Sequence, residues 1–171
     1  MAAIAVKVRQ DIQLVGFEEI AIRHRNEIAV DCMQDELPEH HRRAIADHEA
    51  AGTLDHPGYK AAEEEFSRRH VLLVDPPPDF VERGKAEKGT PVYRALWGMS
   101  EWNADGKLHD WDVRDRLHEI RVPTLVTSGR HDECTPELAE AAQRGIPDAE
   151  RVLFEESSHM AFVEEPDRFR E

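Results

Sequence analysis

Two short stretches in the C-terminal third of the chain carry residues that could do hydrolytic chemistry. An apolar run at 122–127 leads into a Gly-x-x-Asp sequence that ends at Asp132, and a second run at 151–154 leads into Ser-Ser-His, ending at His159. Open α/β sheets place functional side chains at the carboxyl ends of their strands, so we expect these two residues to meet at one sheet edge. In a catalytic triad the aspartate orients the histidine, and the histidine acts as the general base. The order aspartate then histidine therefore predicts two members of such a triad.

Each of these residues also has a simpler interpretation when taken alone. An aspartate after a strand is typical of a turn or a helix N-cap, and a lone histidine is more often a surface or capping residue. What favours a site is the pairing, because Asp132 and His159 each follow a strand of the same predicted βαβ unit.

The third member of a triad, the nucleophile, is missing from this sequence. No Gly-x-Ser-x-Gly elbow occurs anywhere in the 171 residues. Cys134 is close to Asp132, but it would lie on the wrong loop, and a small packed side chain is the better interpretation. The remaining hydroxyl candidates do not lie between glycines in an elbow: Ser67, Ser100, Ser128, Ser157 and Ser158. We therefore expect these residues alone not to turn over a substrate.

Composition excludes several classes of function. The formal net charge is -14, from 36 acidic and 22 basic side chains, and this charge repels nucleic acid. There is no run of about 18 apolar residues for a membrane span and no signal-peptide pattern, so we expect a cytoplasmic protein. Cys32 and Cys134 are far apart, which indicates reduced thiols. No His-Glu-x-x-His motif occurs, and His40, His41 and His48 fit a solvated helix face, so neither a metal nor a cofactor is predicted.

The order of predicted elements divides the chain into three parts and indicates an α/β fold. Residues 1–35 contain strand-like runs at 2–8 and 12–17 but no clear overall pattern. Residues 36–111 are mainly helical, with one helix predicted at 59–74. Residues 112–171 are predicted to form strand, helix, strand and a last helix from Met160, and the middle helix begins after Thr135 as N-cap and Pro136. Two parallel strands do not make a stable sheet, so we expect an incomplete core.

Several longer motifs are more specific than the triad residues. They are Leu37-Pro38-Glu39-His40-His41-Arg42-Arg43-Ala44-Ile45, Phe66-Ser67-Arg68-Arg69-His70-Val71, Val92-Tyr93-Arg94-Ala95-Leu96-Trp97-Gly98-Met99-Ser100-Glu101-Trp102, Asp110-Trp111-Asp112-Val113, the segment from Val122 to Glu133, and Ser157-Ser158-His159-Met160. Together these motifs span about four fifths of the chain. In them the chain resembles proline iminopeptidases, a branch of the α/β-hydrolase superfamily.

This resemblance implies a helical cap domain followed by the last βαβα segment of a hydrolase core. It implies release of an N-terminal residue, preferably proline, from short peptides by serine acyl transfer, with Asp132 and His159 in the triad. Glu101 matches a cap acid that binds the free amino group of the substrate, and its alternative interpretation is a solvated loop glutamate. Trp97, Trp102 and Trp111 fit either an apolar proline pocket or ordinary packing between cap and core.

The family's N-terminal half, which carries the oxyanion-hole loop and the nucleophile elbow, has no counterpart here, and residues 1–30 do not resemble it. The first hypothesis is therefore a truncated iminopeptidase-type chain that is inactive alone. The second is a non-catalytic remnant or interaction module, and the third is a chain complemented by another that supplies the serine.

Overall fold

The computed structural model describes residues 3–8, 11–16, 35–87, 89–98 and 105–171. Four strands are described: β1 (Ala3–Val8), β2 (Asp11–Gly16), β3 (Thr124–Gly129) and β4 (Ala149–Phe154). Among the described residues, four helices precede β3: α1 (Glu39–Ala51), α2 (Pro57–His70), α3 (Asp79–Ala86) and α4 (Thr90–Leu96). A 3-10 helix (Arg114–Glu119) then leads into β3, and the later helices are α5 (Pro136–Gly145), α6 (Ala161–Glu164) and α7 (Pro166–Phe169).

The described strands form one mixed sheet in the order β2-β1-β3-β4. β3 and β4 are parallel, with Thr124 opposite Ala149 and Gly129 opposite Phe154, and α5 connects them. The strand-like runs near the N-terminus form an antiparallel hairpin, and β1 pairs antiparallel with β3. The predicted α/β class is confirmed, and the parallel part of the described sheet is limited to two strands, as expected of an incomplete core.

One continuous hydrophobic core joins the helical segment to the sheet. Most of its buried members come from α1, α2, the 3-10 helix, β3 and α5, and these include Ile45, Phe66, Leu117, Val126 and Ala142. Burial of large apolar side chains is the dominant favourable term in folding, so this shared core fixes α1 and α2 against the βαβ unit. No helix in the described ranges is both long and apolar enough to span a membrane.

Three local predictions differ from the structure. The helix predicted at 59–74 ends at His70, because the N–H of Leu73 binds the Glu164 carboxylate (2.6 Å) instead of a helical carbonyl. The last helix is broken into α6 and α7 before Pro166, which disfavours helical geometry at the residue preceding it.

The third difference is at the start of α5. Thr135 occupies the N-cap position, but its side chain makes no capping hydrogen bond, and Pro136 begins the helix. The predicted Thr135 cap is therefore wrong in its chemistry, although the start of the helix is correct.

The last turns of α2 carry a compact ion network. Glu65 accepts hydrogen bonds from the guanidinium groups of Arg68 (3.0 and 2.9 Å) and Arg69 (2.6 Å). Arg69 also donates to the main-chain carbonyl of Glu36 (3.1 Å), which ties α2 to the segment before α1. The hydrogen bonds from Arg68 and Arg69 lower the pKa of Glu65 to about 2, against the opposing effect of burial.

We expect Glu65→Gln to destabilise the protein near neutral pH. A carboxylate whose pKa is lowered by folding stabilises the folded state above its unfolded pKa, and this contribution disappears as the pH falls toward about 2. Because Arg68 is exposed and salt screens the pair, the expected drop in Tm at pH 7 is only roughly 2–4 °C. The Tm difference from wild type should shrink between about pH 4.5 and pH 2. Glu64→Gln, an exposed neighbour, is the matched control, and an equal drop for both variants would contradict the prediction.

Candidate active site

The loops that follow β3 and β4 leave the sheet at the same edge and bind each other through main-chain atoms. The N–H of Arg130 donates to the carbonyl of Phe154 (2.8 Å), and the N–H of His131 donates to the carbonyl of Ser157 (3.0 Å). These bonds continue the parallel β3–β4 pairing beyond the strands themselves. The two loops are therefore held side by side.

Gly129, the last residue of β3, makes this close approach possible. A Cβ atom built on Gly129 would lie 2.1 Å from the carbonyl oxygen of Ser158 and 2.4 Å from that of Ser157. Both obstacles are backbone atoms, which cannot move aside as a flexible side chain could. Glycine at this position lets the loop carrying His159 pack directly on the end of β3.

The two loops bring Asp132 and His159 into direct contact. Oδ1 of Asp132 lies 2.9 Å from Nδ1 of His159. Both residues are buried, with exposed fractions of 2% and 7%. An aspartate bound at Nδ1 fixes the orientation and tautomer of the imidazole, so that Nε2 is the ring nitrogen suited to take a proton from a nucleophile. This is the arrangement required of the general-base half of a triad.

Main-chain donors hold the aspartate in place. The N–H of Cys134 donates to Oδ1 of Asp132 (2.8 Å), and the N–H of Gly129 approaches Oδ2 (3.5 Å). The side chain of Cys134 is buried in the hydrophobic core, in line with its interpretation as a packed side chain. A buried carboxylate is costly unless hydrogen-bonded, and these contacts offset that cost.

Glu133 is a second buried acid at the site that sequence reasoning missed. Its Oε1 lies 3.7 Å from Nδ1 of His159, and the residue is 7% exposed. A negative charge at this distance stabilises an imidazolium as it forms during proton transfer. Its position next to Asp132 was the only signal in the sequence that could have pointed to a role at the site. The sequence does not show that the side chains of both Asp132 and Glu133 are buried.

Two adjacent glutamates of the last helical segment hold the loop that carries His159. Glu164 accepts from both the N–H and the hydroxyl of Ser158 (each 2.6 Å), and Glu165 accepts from the Ser157 hydroxyl (2.6 Å). Burial alone would raise the pKa of Glu165, but hydrogen bonds from Ser157, Arg168 and the Glu156 main chain outweigh it and lower the pKa below its usual value. The hydroxyls of both serines therefore bind acids that support the loop.

The structure describes only some of the other residues that the sequence singled out. Glu101 and Trp102 lie outside the described residues. Trp97 is buried against Tyr93 and Leu108 in a small separate cluster, while Trp111 is 47% exposed. Within the described ranges, no three His, Cys, Asp or Glu side chains form a group that could hold a metal ion.

We expect Gly129→Ala to disrupt the contact between the two loops. The added methyl group meets backbone carbonyls at 2.1–2.4 Å, so the His159 loop must move, at a cost of about 1–3 kcal/mol in the free energy of unfolding. Gly84→Ala on α3 is the matched control, since a Cβ there meets nothing within 4 Å and should be neutral or slightly stabilising. Urea denaturation of both variants checks the prediction, and a Gly129→Ala protein as stable as wild type would refute it.

We expect Glu164→Ala to loosen the His159 loop. The substitution removes the acceptor for the exposed Leu73 N–H and for the N–H and hydroxyl of buried Ser158, and it leaves the two Ser158 donors unsatisfied at about 1–3 kcal/mol. Asp167→Ala, which removes an exposed carboxylate on α7, is the control and should change stability little. Amide hydrogen exchange at Ser158 and Leu73 should rise in Glu164→Ala alone; equal exchange in the two variants would contradict the assignment.

Comparisons with known proteins show which family this chain resembles. A family model described as "Alpha/beta hydrolase family" matches residues 2–171. The proline iminopeptidase of Lactobacillus helveticus (strain DPC 4571) is 39% identical over 134 residues, which is 78% of this chain and 45% of that protein. The crystal structure of a proline iminopeptidase from Mycobacterium smegmatis is 39% identical with a TM-score of 0.75, covering 88% of this chain and 51% of that one.

A second solved structure, VinJ, is 34% identical with a TM-score of 0.81 and covers 86% of this chain and 50% of its own. The chain thus spans about half the length of the relatives it matches. The predicted resemblance to the C-terminal part of proline iminopeptidases is confirmed. With its family model matched from residue 2 to residue 171, the chain belongs to the alpha/beta hydrolase family.

Proposed function

We propose that this chain provides the aspartate and histidine of a serine-type peptidase that releases an N-terminal residue, preferably proline, from short peptides. The observation that carries the proposal is the buried hydrogen bond between Asp132 and His159, 2.9 Å long and formed at Nδ1. The similarity to proline iminopeptidases at 39% identity supports the choice of substrate class.

In the proposed reaction, His159 accepts the hydroxyl proton of a serine as that serine attacks the carbonyl carbon of the N-terminal residue. Asp132 stabilises the imidazolium, which then gives the proton to the leaving amine. Water, activated by the same histidine, releases the acyl group from the serine. Because these 171 residues contain no nucleophile elbow, we propose that the serine comes from a segment outside them, in the same or another polypeptide.

The free amino group of the substrate calls for a negative partner. We propose Glu101 as the partner of this amino group, because it matches the cap acid of proline iminopeptidases. Glu133 is not a candidate for this role, because its carboxylate lies 3.7 Å from Nδ1 of His159, on the side of the ring away from the reacting Nε2. A charged α-amine pairs with an acid such as Glu101 only at a true N-terminus, which would make the enzyme an exopeptidase.

Reconstitution tests the proposal. The chain would be joined to the N-terminal half of the Mycobacterium smegmatis enzyme, which is the part of that enzyme that this chain does not match. The resulting chimera would be assayed with a prolyl anilide. We expect hydrolysis by the chimera, a loss on the order of 10⁴-fold in kcat for Asp132→Asn, as in other triads, and a comparable or larger loss for His159→Ala. His118→Ala, an exposed histidine on the 3-10 helix, is the control and should retain activity.

The possible results separate the hypotheses. Full activity in Asp132→Asn would refute the role of the Asp132–His159 pair. A folded chimera without any hydrolysis would favour the interaction module over the enzyme. Stoichiometric labelling of the 171-residue chain alone by a serine-directed phosphonate would show that the nucleophile lies within it, against our proposal.

A further inference from the structure

We infer that His70, the last residue of α2, is a positioning residue for the Asp132–His159 pair. His70 makes hydrogen bonds with the loops that follow β3 and β4. Its main-chain carbonyl accepts two of them, and its side chain donates the third. They hold the pair in place whether or not a substrate is bound, and no contact between His70 and substrate is implied. Only their consequence for catalysis rests on the proposed function.

The main-chain carbonyl of His70 binds both loops at once. It accepts the N–H of Glu133 (3.2 Å) and the N–H of His159 (3.2 Å). The last carbonyls of a helix have no intrahelical partner, so the end of α2 can serve as an acceptor here. One oxygen atom therefore links the residue after Asp132 to His159 itself.

The side chain of His70 adds a third bond to the same place. Its Nδ1 lies 3.1 Å from the carbonyl oxygen of His131, the residue before Asp132. Since a carbonyl only accepts, Nδ1 must carry a proton. His70 therefore contacts the residues on both sides of Asp132 as well as His159.

Burial of His70 favours the neutral imidazole, and the carbonyl of His131 favours the tautomer with its proton on Nδ1. His70 is 5% exposed, and its ring packs on Phe66 at 4.9 Å between centroids. Burial lowers the pKa of His70, opposed by the hydrogen bond to His131 and by the charge of Glu36. Nε2 is buried without a hydrogen-bond partner in the described part of the chain, and the Glu36 carboxylate lies 3.6 Å away.

A neutral ring protonated at Nδ1 is a rigid donor at a fixed site on α2. Any shift of α2 relative to the sheet would change the bonds to His131, Glu133 and His159 together. Helix α2 therefore sets the geometry of Asp132 and His159 through His70.

The test uses the 171-residue chain and needs neither substrate nor serine. In His70→Asn the side-chain amide nitrogen takes the place of Nδ1 and still donates, whereas His70→Leu fills a similar volume without a donor; both keep the main-chain carbonyl. We expect His70→Leu to weaken or remove the downfield NMR signal of the His159 Nδ1 proton. Amide exchange at Glu133 and His159 should rise about tenfold, the effect of losing one typical hydrogen bond. His70→Asn should restore both readouts to within about twofold of wild type.

Phe66→Leu is the matched control, because it removes part of the packing against the His70 ring but keeps the Nδ1 donor of His70. It should lower Tm yet leave the His159 signal in place. The Val126 amide in the centre of β3 serves as an internal reference, since general destabilisation would raise its exchange as well. An unchanged His159 signal in His70→Leu, a failure of His70→Asn to rescue, or equal effects in Phe66→Leu would overturn the inference.

One measurement keeps the inference falsifiable even if the leucine variant does not fold. Nitrogen-15 NMR of the wild-type imidazoles reports the tautomer of each histidine, and we expect His70 to be neutral with its proton on Nδ1. A proton on Nε2 alone, or a charged ring at pH 7, would refute the assignment. Because these readouts report on the Asp132–His159 contact directly, they can fail while reconstituted hydrolysis succeeds, or the reverse.

Discussion

The parallel pairing of β3 with β4 is the constraint on which the rest of the site depends. It ends with Gly129 opposite Phe154, so the two following loops begin at the same level of the sheet. The absence of a side chain on Gly129 then lets the loop carrying His159 lie directly against the strand end. Given this approach, the 2.9 Å contact between Asp132 and His159 follows from two short loops rather than from long, adjustable side chains.

The Asp132–His159 pair is supported from three directions. The sheet edge supplies the N–H of Gly129, the start of the loop to α5 supplies the N–H of Cys134, and the end of α2 supplies the carbonyl of His70. Glu164, the last residue of α6, and the adjacent Glu165 bind Ser158 and Ser157 and so hold the loop that carries His159. Groups held in this way need little reorganisation when charge develops during a reaction, which is the main source of catalytic power in polar active sites.

Such an arrangement is a poor way to stabilise a protein. Burying carboxylates and imidazoles costs desolvation energy, and a well-packed apolar replacement is often at least as stable. Here Asp132, Glu133, His159 and His70 are all buried within one small region. The hydrophobic core of α1, α2, β3 and α5 supplies the stability, and it allows this polar cluster to be kept in a fixed geometry.

The sequence by itself determined the βαβ unit and the meeting of Asp132 with His159, because apolar runs, Pro136 and the rules of parallel sheets act locally or through topology. It also determined the family, through motifs that run through most of the chain. Only the tertiary structure decided that α2 ends at His70, that Glu133 turns inward, and that Thr135 leaves its capping bond unmade. The physical reason is the distance along the chain between partners: Leu73 binds Glu164 across 91 residues, and His70 binds His131 across 61. Propensity and periodicity describe neighbouring residues, whereas these hydrogen bonds exist only once the shared core has brought α2 against the sheet.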